Sequence, residues 1–313
     1  MIDSFIKDPY RGKEFVFKNV MAYRIAPTWA MSLTQVEAGL QPGRFVECGA
    51  SQEKSVGWIE PRGQAHGPLA ESVGGQWIFR LRIETRSLPG AVVTRKAHER
   101  VAQIEASTGR KPGKREMRDI KDDVRLQLLP MAFTQQSDIW VWLDPQAHWL
   151  VIDAGSQGKA DEVLGLLVKC LDGLALSLVN TAVSPTAAMA EWLVSQEPPA
   201  GFSVDRECEL KAADESRAVV RYARHPLDTE EVRQHVQGGK LPTRLALTWE
   251  GRVSFMLTEQ LQLKKLAFLE GVFEQASTRG EEGFDADVAI ATAEIGKLLP
   301  DLLEALGGEA TIG

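Results

Sequence analysis

Cysteine is scarce in this chain: Cys48, Cys170 and Cys208 stand far apart and are odd in number, with no Cys-x-x-Cys pair and no Cys/His metal spacing. That pattern argues against a disulfide framework and a structural zinc site, and it suits a reducing cytoplasm. Long apolar runs are lacking too. None approaches the roughly 20 residues a membrane helix needs, and the opening MIDSFIKDPYRGKEF carries no apolar leader core. Nucleotide and hydrolase signatures are missing: there is no Gly-x-x-x-x-Gly-Lys phosphate loop, no Gly-x-Ser-x-Gly elbow and no Rossmann glycine set. Net positive charge is missing as well, since the chain carries −7, against the usual basic signature of nucleic-acid binders.

What is present is a local reversal of that sign. The 313 residues, 44% apolar and 25% charged, are those of an ordinary folded protein long enough for two or three subdomains. Between Arg86 and Arg125, however, 11 Lys/Arg face 6 Asp/Glu, a surplus of five that leaves −12 on the remainder. Lys114, Arg118, Lys121 and Arg125 are spaced 4, 3 and 4, so on a helix they form one stripe of cations. Met117, Ile120, Val124 and Leu128 form an apolar stripe beside it, and Glu116, Asp119, Asp122 and Asp123 fall largely on the other side. A helix that docks by one face and offers cations along another suits a polyanion, DNA or RNA. The alternative is a solvated helix laced with i,i+4 ion pairs such as Arg115–Asp119 and Arg118–Asp122.

Periodicity outlines the rest. Strands are expected from Phe17 to Ile25, at Phe79–Glu84 between the Gly74–Gly75 turn and the Pro89–Gly90 break, and at Ile139–Asp144 paired with His148–Asp153 through an Asp144–Pro145 turn. Ala91 to about Ser107 reads as a helix buried through Val92, Ala97, Val101 and Ile104. The Gly/Pro loop after it joins the two-stripe helix, which stops before Pro130, into an antiparallel hairpin with a basic tip of Arg110, Lys111, Lys114 and Arg115. Amphipathic helices are expected at Gly158–Leu171 and around Trp192, then a junction at Glu197–Gly201. A three-strand meander follows (Arg244–Trp249, Arg252–Leu257, Leu263–Phe268), turning at Glu250–Gly251. A long helix from about Asp285 to Leu306, interrupted or kinked at Pro300, ends the chain at Gly307–Gly308.

Strands and helices mix without a βαβ rhythm, so the expected class is α+β, with mixed antiparallel sheets and a protruding helical hairpin. The expected division is a loose extension over residues 1–15, a central α+β unit from 16–88 and 129–178, a basic hairpin tip at 89–128, and a second α+β unit over 179–313 whose last helix can return to the central unit.

Little competes for chemistry. His66, His98, His148, His225 and His235 lie at no metal-ligand spacing. The pairs Asp122–Asp123 and Asp285-x-Asp287 could hold Mg²⁺ as in a nuclease, but carboxylates one or two apart on a helix do not face each other. Asp285 and Asp287 also sit where a helix start favours acids. Trp140 and Trp142 share a strand face opposite Ile139 and Val141, either as stacking platforms for single strands or as packing or interface residues. No catalytic residue, metal or cofactor is implied.

Seven segments in order then become familiar: FKNVMAYRI at 17–25, VGWIEP at 56–61, LLPMAF at 128–133, LVID at 150–153, LALTW at 245–249, FDAD at 284–287 and EALGGE at 304–309. Together they resemble the RdgC family of bacterial recombination-associated proteins over about residues 16–309. The resemblance implies a non-enzymatic protein that binds double-stranded DNA without strong sequence preference. Two horseshoe-like subunits would close into a ring around the duplex, and occupancy of DNA would limit a RecA-type recombinase in recombination and replication. It further implies a homodimer associated with the nucleoid, with single strands a possible second ligand. A ring accommodates the sign problem, with cations lining the hole and acids on the rim. Phe133 matches a phenylalanine at the ring closure, Arg224 a functional lysine, and Lys240 and Arg244 basic positions before the Leu-Ala-Leu strand. Met131 and His225 depart from the family, standing where an enterobacterial relative has a basic residue and a glutamine. The candidate DNA-binding set is therefore Arg95, Lys96, Arg110, Lys111, Lys114, Arg115, Arg118, Lys121, Arg125, Arg224, Lys240 and Arg244. Two alternatives remain: a protein–protein regulator of the recombinase with incidental DNA binding, and a nuclease using the aspartate pairs.

Overall fold

The computed structural model describes residues 15–273 and 281–310. The chain opens with β1 (Met21–Ile25), α1 (Leu33–Leu40), β2 (Lys54–Ile59), β3 (Ala70–Val73) and the long β4 (Gln76–Ser87). Two helices, α2 (Gly90–Thr108) and α3 (Lys114–Leu128), interrupt the sheet before β5 (Phe133–Asp144), β6 (Trp149–Ile152), α4 (Gln157–Cys170) and β7 (Leu176–Leu178). The strands run β2-β4-β5-β6-β1-β7, with β3 on the end of β4. Every named strand pair is antiparallel.

A second unit follows: α5 (Pro185–Ser195), β8 (Phe202–Ala212), β9 (Val219–Ala223), α6 (Glu230–Gln237), β10 (Lys240–Trp249), β11 (Val253–Thr258), β12 (Leu263–Phe268) and α7 (Glu281–Ala305). Its sheet order, β12-β11-β10-β8-β9, is also antiparallel throughout. The expected α+β class and the antiparallel sheets are those observed.

Strand alternation sets the layers. Phe79, Leu81, Ile83, Ile139, Val141 and Leu143 point to a core shared with α1 and α4. Ile78 and Trp142 point the other way, into a larger core built with α5, α7 and the inner face of the second sheet. Trp142 is fully buried, its indole N–H donating to Gln76 at 2.7 Å. Trp140 packs at the core edge, tilted against Phe284 of α7. Both tryptophans pack against the larger core, Trp142 inside it and Trp140 at its edge.

Several expectations need correction. The strand expected from Phe17 begins at Met21, because Phe17 is buried outside the sheet and Val20 bridges to Leu263 of β12. Residues 1–14 of the expected extension lie outside the described residues, but Phe15 is fully buried against Phe17, Trp140 and Phe284. Pro300 does not interrupt α7. A helical proline crowds the carbonyl of the residue four earlier, and that residue is Gly296.

Candidate nucleic-acid interface

The helical hairpin is a small unit with its own core. Val93, Ala97 and Val101 of α2 meet Ile120 and Val124 of α3, flanked by Leu88, Ile104, Met117 and Leu128. Val93 replaces the expected Val92, which is only half-buried. Its four-residue spacing to Ala97 and Val101 keeps all three in one row. Gly109 ends α2 at φ 71°, a left-handed cap that glycine adopts without strain, and its N–H bonds Glu105 O.

Burying that stripe turns the cationic stripe outward. Lys114, Arg118 and Arg125 are exposed and Lys121 is half-buried. The two expected i,i+4 ion pairs do not form. Among the described residues no salt bridge joins Arg115 to Asp119 or Arg118 to Asp122, while Arg125 makes one contact, 3.4 Å to Glu53. The remaining candidates on this unit differ. Arg110 holds Glu116 through two bonds of 2.8 and 3.1 Å, which keep that carboxyl below its ordinary range. Lys96 bonds Glu99 at 2.8 Å and Arg95 lies 4.0 Å from the same carboxylate. Lys111 is exposed at the tip. The open charge is thus concentrated on Lys111, Lys114, Arg115, Arg118 and Lys121.

The hairpin joins the sheet through an arginine that sequence reasoning did not single out. Arg86, near the end of β4, donates to four carbonyls: Cys48 O at 3.1 Å, Gly49 O at 3.3 Å, Ala132 O at 3.2 Å and Leu129 O at 3.4 Å. One guanidinium therefore ties the loop before β2 to the short 3-10 turn Leu129–Met131 that leaves α3. The acceptors lie 37 to 46 residues away, so no local pattern reports them. The turn leaves an apolar patch in the open. Phe133 is 87% exposed, Met131 72% and Leu126 58%, so Phe133 is not part of the core.

The remaining candidates lie on the second sheet. Arg224 is exposed in left-handed geometry, φ 56°. Arg244 is exposed beside Glu209, which also accepts from Arg221 at 2.6 Å and Thr243 at 2.9 Å. Burial opposes ionisation of Glu209, but those bonds and the Arg244 charge outweigh it and hold the carboxyl low. Lys240 is half-buried, its ammonium 3.1 Å from His235 Nδ1. Nearby, Thr229 occupies the N-cap position of α6 but makes no side-chain capping bond. The expected ligands of a nuclease metal do not converge. Asp285 is engaged by Arg62 at 2.6 Å, and Asp122 and Asp123 are exposed on α3. Among the described residues no three His, Cys, Asp or Glu side chains cluster as a metal would need. None of the described helices is long and apolar enough to cross a membrane.

Fold and surface thus define an α+β protein with a cation-faced helical hairpin and, among the described residues, no cluster of metal-ligating side chains. Residues 15–309 match the family described as "Putative exonuclease, RdgC", and the chain belongs to that family. It is 46% identical over 299 residues to the "Recombination-associated protein RdgC" of Dechloromonas aromatica (strain RCB), covering 94% of this chain and 98% of that protein. Proteins of the same name from Janthinobacterium sp. (strain Marseille) and Bordetella pertussis (strain Tohama I / ATCC BAA-589 / NCTC 13251) are 43% and 45% identical, over 94% and 95% of this chain and 98% and 99% of theirs.

Proposed function

We propose that this chain is a nucleoid-associated, non-enzymatic DNA-binding protein. Two copies close into a ring around double-stranded DNA and restrain a RecA-type recombinase by occupying the duplex. The observation that carries the reading is the outward stripe of Lys114, Arg118 and Lys121, unpaired among the described residues. A solvated helix with these neighbours would be expected to spend such cations on its own aspartates. Phosphate contacts need only positive charge in the right place, and they carry no sequence information. The exposed Leu126, Met131 and Phe133 beside the hairpin base offer an apolar surface suited to a second copy.

Enclosure is tested by loading the protein on linear and covalently closed duplex DNA and raising the salt. Phosphate contacts weaken steeply with salt, whereas a closed ring cannot leave a closed circle. Retention on circles with release from linear DNA is the expected result; equal release from both would sink the ring. The exonuclease named in the family description is addressed by incubating end-labelled linear duplex with Mg²⁺. Progressive shortening, lost when Asp285 or Asp122 is changed to asparagine, would replace this reading.

A further inference from the structure

The open face of the second sheet carries a recess of about 260 Å³ where β8, β10, β11 and β12 come together. Three cations line it: Arg206, Arg224 and Lys265. Two of these, Arg206 and Lys265, belong to no site described so far. Three features converge on this recess.

The first is strand register. Along β8 and β10 the pairs Leu245↔Cys208 and Leu247↔Val204 set two steps of one strand against four of the other, so β8 bulges through Asp205, Arg206 and Glu207. Between β11 and β12 the pairs Ser254↔Ala267 and Met256↔Lys264 leave one extra residue in β12, at Lys265–Leu266. Bulges turn side chains away from the regular alternation and are favoured beside functional sites. Both open onto the same recess.

The second feature is strain. Arg224 and Lys265 have φ of 56° and 52°, a left-handed geometry that is costly for residues with a Cβ and concentrates at ligand sites.

The third is uncompensated charge. Arg206 and Arg224 lie one position beyond the last paired residues of β8 and β9, Glu207↔Ala223, and the His225 N–H bonds Arg206 O at 3.1 Å. Two arginines facing each other across an antiparallel pair repel. The local carboxylates do not relieve them. Asp205 accepts from Thr248 Oγ1 at 2.9 and 3.1 Å, and Glu207 is taken by Lys265 at 2.6 Å. Neither arginine side chain makes a hydrogen bond or salt bridge among the described residues.

We propose that this recess is a phosphate subsite: Arg206 and Arg224 grip the non-bridging oxygens of one DNA backbone phosphate, and Lys265 stands at its edge. Two guanidinium forks match a tetrahedral anion geometrically, and the anion removes the repulsion between them. The recess thereby anchors the duplex at a place separate from the hairpin. The assignment to DNA rests on the function proposed above, whereas the affinity of the recess for phosphate does not.

The test is arginine modification by phenylglyoxal, read residue by residue by mass spectrometry on the full chain, with millimolar inorganic pyrophosphate or a short duplex as protectant. Both probes should protect Arg206 and Arg224. Changing Arg206 and Arg224 together to glutamine should weaken duplex binding and flatten the log–log salt slope by about 0.9, the share of one phosphate, so that about three- to four-fold less affinity is lost between 50 and 200 mM salt. Protection of Arg115 and Arg118 by duplex with none at Arg206 or Arg224 would overturn the subsite and leave the hairpin interface standing. Protection by pyrophosphate alone would overturn the DNA assignment, and protection by neither probe would overturn the recess as an anion site.

Discussion

Changing Lys114, Arg118, Lys121 and Arg125 together to alanine separates what the stripe does for the helix from what it does for a ligand. For the helix the stripe is a burden. Lys114–Arg118 and Lys121–Arg125 are like charges at i,i+4 and Arg118–Lys121 at i,i+3, each costing about 0.2–0.5 kcal/mol. Lys114 also begins α3, where the helix dipole disfavours cations. Alanine has the best helix propensity, so the variant's hairpin should be more stable by about 0.6–1.5 kcal/mol from the charge pairs alone. For DNA the opposite holds. Four phosphate contacts contribute a salt slope of about −3.6, equivalent to about 150-fold in affinity between 50 and 200 mM salt. Because Arg125 is shared with Glu53 at 3.4 Å, the observed flattening should fall nearer three contacts than four. Fluorescence anisotropy of a labelled duplex across a salt series reads the slope, and hydrogen exchange reads the hairpin. Arg110 and Lys96, already engaged by Glu116 and Glu99, supply the control: their alanine variants should leave the slope nearly intact. If the quadruple variant keeps its slope within about half a unit, the stripe does not meet phosphate.

Ile120→Ala removes a side chain from a core of five buried residues and should cost about 2–3 kcal/mol, the low end for such truncations at so small a site. Hydrogen exchange should then show amides of residues 90–128 losing protection while both sheets keep theirs; uniform loss would mean the hairpin is not a separate cooperative unit. Phe133→Ser, at a position 87% exposed, should change stability by less than about 0.5 kcal/mol yet shift a dimer toward monomer in analytical ultracentrifugation. An unchanged sedimentation profile would remove Phe133 from the subunit contact. Asp138 governs an acid transition. Burial opposes its ionisation, but bonds from Arg82 at 2.7 and 2.8 Å and the Arg80 charge more than compensate, so its carboxyl lies below the ordinary value of 3.8. A depressed folded value stabilises above the unfolded value and is lost as pH falls through it. The urea midpoint of the wild type should therefore drop between pH 5 and 3 more than that of Asp138→Asn.

The hairpin was legible in the sequence because both of its stripes obey helical periodicity over a dozen residues, and burying one stripe necessarily exposes the other. The alternating segments at Phe79–Glu84 and Ile139–Asp144 were legible for the same reason, at period two. What stayed hidden depends on long-range contact or broken period. The Arg86 clamp joins segments 37 to 46 residues apart. The β8 strand was not expected because its bulge at Asp205–Glu207 erases the alternation that would announce it. The cations Arg206 and Lys265 went unnoticed with it, since neither is near the other in sequence and only the sheet brings them to one recess. Val92 was preferred although one residue turns the side chain by about 100°; only Val93 lies four residues before Ala97 and so in one row with Ala97 and Val101. The resemblance to the family located Arg224 and Phe133; local pattern alone would have passed over both.

β4 and β5 pair without a register shift from Trp77↔Leu143 to Ser87↔Phe133, a central ladder about 34 Å long at 3.4 Å per residue that β2 flanks along β4 as far as Thr85. The hairpin is mounted on its far end, and the 15 residues of α3 add about 22 Å more. A twist of the whole sheet by about 5° about the Trp77 end of that ladder would carry its Ser87 end about 3 Å, the scale on which a phosphate contact is made or lost. Packing changes around Trp142 or Phe284, deep in the core, would then be felt at Lys114 and Arg118 without any residue between them altering its fold.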